Sequence, residues 1–324
     1  MNTLLKRTML VAALLVLSFS IVPTAHAARK LSVSPGTFQL SAPAGAEIEN
    51  EFLVINEGTE AIPHVFVYAT NVRVGKNGKE TYVLPKPEEP LLSSPASWIY
   101  IKVPDPTKII GNFPFIDLGL NDTKSVAFSV KIPELAPPGD YTIIVFFEAR
   151  EPGSEGRFSA AVSARIGCRI KIRVQGDIVE KGEITNLRIG RFVIGDVIPY
   201  SFALVNGGNI DAPGRLEARV ETPSGVTIAS KVLQRRVYLY AKSRLDFAGA
   251  LKSKGLGFGM RTFRTTFTYR DAEGNERALE KKASFFAIPV SAFYLLLVVL
   301  AAIVLAISFW LDARLKKRGK AFEG

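Results

Sequence analysis

Along most of the chain, apolar and polar side chains take turns one by one. Val126, Phe128, Val130 and Ile132 alternate with Ala127, Ser129 and Lys131, and His64, Phe66 and Tyr68 alternate with Val65, Val67 and Ala69. A period of two puts successive side chains on opposite faces of an extended strand, so these runs predict half-buried β-strands. Tyr141 to Phe147 is a β-branched and aromatic run opened by Pro137-Pro138-Gly139-Asp140, a strand entered from a turn. From Arg165 to Val174, apolar residues alternate with basic ones, and Cys168 falls on the apolar parity. Clusters of Gly, Pro, Asn and Asp separate the runs at short spacing, and no amphipathic helical period appears between the chain ends. The pattern predicts an all-β chain of antiparallel β-sandwiches.

The pattern also repeats. Phe52-Leu53-Val54-Ile55-Asn56-Glu57-Gly58 returns as Phe202-Ala203-Leu204-Val205-Asn206-Gly207-Gly208, and Pro63 returns as Pro213. So long an offset means two copies of a domain rather than a solenoid. The shared element is a strand ending in Asn-x-Gly, a turn, a proline and the next strand. Asn and Gly suit such strand-ending turns. The boundary falls at Gln175-Gly176-Asp177, giving sandwiches over 28–176 and 177–283. The last hairpin is expected from Arg264 to Arg270, turned by Asp271-Ala272-Glu273-Gly274-Asn275, and back from Arg277 to Lys281.

The two ends carry a different pattern. Lys6 and Arg7 precede an uncharged, mostly apolar run broken at Pro23, and Ala25-His26-Ala27 has the form of a signal-peptidase site. Residues 1–27 therefore read as a secretory signal peptide, the alternative being an uncleaved anchor. No residue from Ala283 to Leu311 is charged. A helix of roughly 20 such residues crosses the hydrocarbon of a bilayer, so 287–311 is expected to span it. Arg314, Lys316, Lys317, Arg318 and Lys320 follow at once, and basic flanks stay on the cytoplasmic side. The expected location is the cell membrane, single-pass, with the domains outside and a basic cytoplasmic tail over 312–324.

Charge refines this layout. The net charge is +11, and the second sandwich, with 18 basic against 12 acidic side chains, carries +6 of it. Much of the remainder belongs to targeting and topology, so a nucleic-acid partner is a poor reading. Few residues separate the last hairpin from the expected span, which brings the second sandwich near a possible anionic lipid surface. Lys231, Arg235, Arg236, Lys242, Arg244, Lys252, Lys254, Arg261 and Arg264 face Asp246 alone in their stretch of sequence. They form the candidate binding set for anionic head groups or wall polymers, or else a solvated face. A second candidate is the excursion from Arg73 to Ser97, with its Pro-rich second half; an inserted hairpin is the plainer reading.

Catalytic groups are scarce. His64 is the only histidine left after a signal cleavage, and it sits within an alternating run. Cys168 is the only cysteine, so it forms no intrachain disulfide, and a buried structural thiol is expected. There is no His or Cys pair spaced for zinc, no phosphate-binding loop and no nucleophile elbow. Glu47, Glu49 and Glu51 share one parity, which more often protects an edge strand than gathers a cation. Asp271, Glu273 and Glu276 around Gly274 lack the full spacing of oxygen ligands and read as a hairpin turn rather than a calcium loop. No metal, no cofactor and no enzymatic activity are expected.

Four stretches together carry a family likeness: Ser94-Pro95-Ala96-Ser97-Trp98-Ile99, Phe115-Ile116-Asp117-Leu118-Gly119-Leu120-Asn121, Val126 to Pro133, and Pro138-Gly139-Asp140-Tyr141. They resemble bacterial immunoglobulin-like surface modules, closest in layout to the WxL-interacting proteins of cell walls. More distantly, they are similar to the N-terminal sandwich of pilus chaperones. The resemblance implies two tandem immunoglobulin-like domains with a C-terminal span, and a non-catalytic role in binding a cell-wall polymer or a partner surface protein at the membrane. The alternative it leaves open is a membrane-tethered chaperone or assembly factor for secreted subunits.

Overall fold

The structure, a computed structural model, describes residues 30–150 and 162–320. The expected signal peptide and the end of the expected tail, 321–324, lie outside the described residues.

The first sandwich contains β1 (Leu31–Ser34), β2 (Thr37–Ala42), β3 (Glu47–Asn56), β4 (Ile62–Val74), β5 (Glu80–Val83), β6 (Ile99–Lys102), β7 (Ile109–Ile110), β8 (Phe113–Leu118), β9 (Thr123–Lys131), β10 (Gly139–Arg150) and β11 (Val162–Val174). One sheet has the order β1-β3-β9-β6. The other runs β2-β11-β10-β4-β8-β7, with β5 added beside β4. The inner parities of both sheets meet in one core, where Phe52 packs against Phe38, Phe128 and Phe147 at centroid distances of 4.7–5.1 Å. Cys168 lies on the inner parity and is fully buried, as its alternation required; burial pushes its thiol up to about 11.

The second sandwich contains β12 (Gly182–Ile189), β13 (Phe192–Ile194), β14 (Val197–Asn206), β15 (Ala212–Glu221), β16 (Thr227–Leu239), β17 (Arg244–Lys252), β18 (Gly259–Arg270) and β19 (Glu276–Ile288). Its sheets are β12-β14-β17 and β13-β19-β18-β15-β16. Its buried side chains fall into two clusters, one around Phe263 and Phe285, the other around Phe202 and Phe267.

The repeat read from the sequence is a repeat of hydrogen bonds. Asn56 Nδ2 donates to the Glu60 carbonyl at 2.7 Å, and its Oδ1 accepts the Gly58 N–H at 3.0 Å. Asn206 donates to the Ile210 carbonyl at 2.8 Å and accepts the Gly208 N–H at 2.9 Å. A short polar side chain can satisfy a buried strand end only where the chain turns back immediately, hence the shared spacing. One feature departs from the antiparallel expectation. β2 runs parallel to β11, and β13 runs parallel to β19. In each sandwich the opening segment crosses to the second sheet and lies against the last strand, and the long chain between the two makes a parallel pairing possible.

β19 continues to Ile288, beyond the expected end of the sandwich at 283, and the helix α1 (Val290–Lys320) starts after Pro289. The uncharged run beginning at Ala283 therefore belongs first to a strand. Phe285 and Ala287 fill the core, and only from Val290 is the run helical. Val290–Leu311, 22 residues, is long and apolar enough to cross a membrane, and none of it is buried in the protein.

A candidate binding cleft between the sandwiches

The outer parity of β11 presents Arg165, Arg169, Lys171 and Arg173, and the second sandwich leans against the lower part of this row. Arg173 grips Asp140 with two hydrogen bonds of 2.7 Å. Asp140 Oδ2 also accepts the Asp211 N–H at 2.9 Å, across the domain boundary. The main chains meet directly, with Asp140 N–H donating to the Asn209 carbonyl at 2.8 Å and Asn209 Nδ2 to the Pro138 carbonyl at 2.9 Å. Gly139 makes this approach possible: at φ 141° it leaves free the space where a β-carbon would lie 2.4 Å from the Asn209 oxygen.

A second latch lies one row higher. The Arg169 guanidinium contacts both Glu80 oxygens at 2.9 and 3.1 Å, and the Tyr240 hydroxyl also donates to Glu80. Burial alone would raise the Glu80 carboxyl, but the hydrogen bonds from Tyr240 and Arg169 outweigh it and hold the group below the usual carboxylate range. At the tip of the β4–β5 hairpin, the Lys76 carbonyl accepts the Asp246 N–H at 2.6 Å. The excursion expected from Arg73 to Ser97 is thus a hairpin braced on the second sandwich. Its Pro-rich half leads to Trp98, which is buried with its indole N–H on the Leu91 carbonyl at 2.8 Å.

Between the latches and β2 lies a cleft of about 410 Å³, lined by Gln39 and Ser41 of β2, Lys171 and Arg173 of β11, and Asp211 and Tyr238 of the second sandwich. Lys171 is its distinctive group. Its ammonium sits over the Tyr238 ring, 4.3 Å from the centroid, and no ion pair holds it among the described residues. Burial, together with the neighbouring Arg169, lowers its pKa. Asp211 is raised, because burial outweighs the hydrogen bonds it accepts from Tyr238 Oη (2.7 Å) and Ala241 N (2.9 Å). Both carboxylates of the cleft are therefore tied to fixed donors, Asp211 within its own sandwich and Asp140 across the boundary to the Asp211 N–H.

β2 forms the outer edge of its sheet. Arg169 N–H donates to the Gly36 carbonyl at 3.0 Å and Gln175 N–H to the Ala42 carbonyl at 2.9 Å. Main-chain groups alternate in direction along a strand. Residues 38, 40 and 42 therefore face β11, and Thr37, Gln39 and Ser41 turn their N–H and C=O groups away from it, with no strand beside them among the described residues.

The nine cations singled out from the sequence do not share one surface. Hairpin reversal sends Lys242 and Arg244 to the interdomain end of the second sandwich, and Lys252, Lys254 and Arg261 to the helix end. Lys231, Arg235 and Arg236 lie exposed along β16, where Arg236 lines a separate groove of about 510 Å³ beside the β4–β5 hairpin. Arg264 is held by Glu221 (2.9 Å) and Glu280 (2.7 Å), Arg244 by Asp246 (2.8 Å), and Arg261 by the Leu256 carbonyl (2.6 Å). The cleft cations Lys171 and Arg173 were visible in the sequence as the basic parity of a strand, but alternation alone does not tell which strand borders a cleft.

The other sequence candidates have local tasks. His64 sits in a bulge of β4 at φ 54°, with its N–H on the Asp117 carboxylate at 3.0 Å. Glu49 meets Lys102 at 2.5 Å and Glu47 meets Lys131 at 3.3 Å. β1 covers β3 only from Leu53 to Asn56, so among the described residues no strand lies beside these glutamates on that side. Asp271 caps its turn by accepting the Asn275 N–H at 2.7 Å and pairs with Arg277 at 2.9 Å.

No known family profile matches the sequence, and no curated protein is detectably similar to it. Several solved structures are similar to the chain at a distance. A chain from the chaperone–tip adhesin complex of CFA/I fimbriae biogenesis is 14% identical, with 80% of this chain and 99% of that one covered and a TM-score of 0.42. For the class 5 fimbriae chaperone CfaA the figures are 12%, 80%, 100% and 0.42. For the E. coli chaperone DraB they are 12%, 78%, 96% and 0.39.

Proposed function

We propose that the protein is a non-catalytic, membrane-tethered binding module. It receives an extended segment of a secreted or surface protein along the β2 edge and in the interdomain cleft, and holds it at the membrane during assembly or display. The observation that carries this reading is the free edge of β2 running beside a cleft whose lysine has no carboxylate partner. An added strand would find main-chain partners at Thr37, Gln39 and Ser41. An acidic side chain or a terminal carboxylate would find Lys171, whose charge is partly desolvated and therefore strongly directing. The span Val290–Leu311 supports tethering, and the latches at Asp140 and Glu80 support a cleft of fixed shape.

Photo-cross-linking in intact cells tests it. A benzophenone amino acid at Gln39 is expected to capture a protein, and Lys171→Glu to abolish the adduct. Gln39→Pro, probed from Ser41, removes one outward N–H, leaves the pairing with β11 intact and is expected to abolish capture as well. Capture that survives both substitutions, or is displaced by purified wall material, would overturn the reading.

A further inference from the structure

The outer faces of β18 and β19 are polar for most of their length. Arg264, Thr266 and Thr268 line one strand, and Glu276, Glu280 and Lys282 the other, as a solvated face should be. In the last rows before the helix the same parity turns apolar. Met260 stands opposite Phe286, Phe286 opposite Phe192 of β13, and Ile288 opposite Ile194. Phe258 packs edge-on against Phe286 at 5.1 Å. Phe192 is 68% exposed and Phe258 63%. Burying large apolar side chains is favourable, so a cluster of them left in water is unfavourable unless something covers it.

Chain continuity says what covers it. Only Pro289 separates Ile288 from the first helical residue. The loop after β13 touches the helix root: Gly195 N–H donates to the Ile288 carbonyl at 2.9 Å, and a β-carbon on Gly195 would meet Val290 at 3.2 Å. At about 3.3 Å per strand residue, the apolar rows lie within roughly 13 Å of the start of the span. Arg191, Lys252 and Lys254 are exposed at this same end, none with an ion-pair partner among the described residues.

We propose that this end of the second sandwich is a lipid-docking face. Phe192, Phe258 and Met260 enter the boundary between head groups and acyl chains of the leaflet that α1 enters, and the three cations rest on anionic head groups. Sandwich and helix then form one oriented unit, which holds the cleft about 35 Å above the bilayer, the length of a ten-residue strand. The inference rests on reading α1 as a membrane span.

The full chain in nanodiscs of phosphatidylcholine and phosphatidylglycerol tests both statements separately. Phe192→Cys, Phe258→Cys, Glu276→Cys and Ile303→Cys each carry an environment-sensitive fluorophore; buried Cys168, with its raised thiol, stays unlabelled under mild conditions. Because Phe192 and Phe258 are exposed, neither substitution disturbs the core, and each checks the other. Positions 192 and 258 are expected to show blue-shifted emission and several-fold stronger quenching by nitroxide-labelled lipid than position 276. Water-like signals at 192 and 258, with position 303 still quenched, overturn the docking face and leave the span standing. A water-like signal at 303 overturns both.

Discussion

The parallel edge of the first sandwich and that of the second occupy the same place in the repeat, and their outer faces are chemically opposite. Beside β11, Gln39 stands opposite Lys171 and Ser41 opposite Arg173. Beside β19, Phe192 stands opposite Phe286 and Ile194 opposite Ile288. The inner faces stay alike, with Ile170 and Ile172 on one last strand and Phe285 and Ala287 on the other, all buried. One backbone device thus carries two chemistries. Where the edge borders the interdomain cleft its outer residues are polar and charged, and where it borders the start of an apolar helix they are hydrophobic. The first sandwich also has outward phenylalanines, but it covers them: Arg165 lies 3.7 Å from the Phe146 ring centre and Arg150 4.6 Å from that of Phe66.

The largest effects should come from the shared inner face. Ile170→Ala and Phe285→Ala are each expected to cost about 2–5 kcal/mol, against less than about 0.5 kcal/mol for Phe192→Ala in mild detergent. Urea unfolding of the full chain measures both. A large loss for Phe192→Ala would mean that the outer row belongs to the core, and the contrast would fail. Next come the two strand-end asparagines. Asn56→Ala and Asn206→Ala each leave buried main-chain groups unpaired, at about 1–3 kcal/mol apiece, and clearly unequal losses would break the equivalence of the copies. Arg165→Ala should cost about 0.5–1 kcal/mol through the lost ring contact and should raise binding of a hydrophobic dye at Phe146.

The smallest expected effect is a change of hinge rather than of fold. The Glu80 carboxyl lies below its ordinary value of 4.5 in the folded protein, held there by Tyr240 and Arg169. Its latch is therefore fully present above that pH and is lost as pH falls through the lower folded value. Distance measurements between labels on the two sandwiches should broaden on acidification below 4.5, and Glu80→Gln should show that broadening at neutral pH. A distribution that Glu80→Gln leaves unchanged would assign domain rigidity to Asp140 and Arg173 alone.

Much of the fold was legible before the structure because strand alternation is a local signal. The inward parity of Cys168, the Asn-x-Gly repeat and the hairpin around Gly274 all follow from neighbours in sequence. The parallel pairings were not legible, since β2 and β11 meet across more than a hundred residues and nothing in either strand names its partner. For the same reason nine cations close in sequence ended at opposite ends of one sandwich: antiparallel strands separate in space what the chain keeps adjacent. Lys171 escaped notice because its distinction lies in what surrounds it. Arg169 and Arg173 have carboxylates that reach them from β5 and β10, and Lys171 between them has an aromatic ring.

Amide hydrogen exchange on a captured complex tests the central claim most directly. In the free protein, the amides of Phe38, Leu40 and Ala42 should already be protected by β11, and those of Thr37, Gln39 and Ser41 should exchange quickly. When the partner segment is bound, the second set should slow to match the first. Unchanged exchange at Thr37, Gln39 and Ser41, with new protection along the cations of β16 instead, would contradict the account.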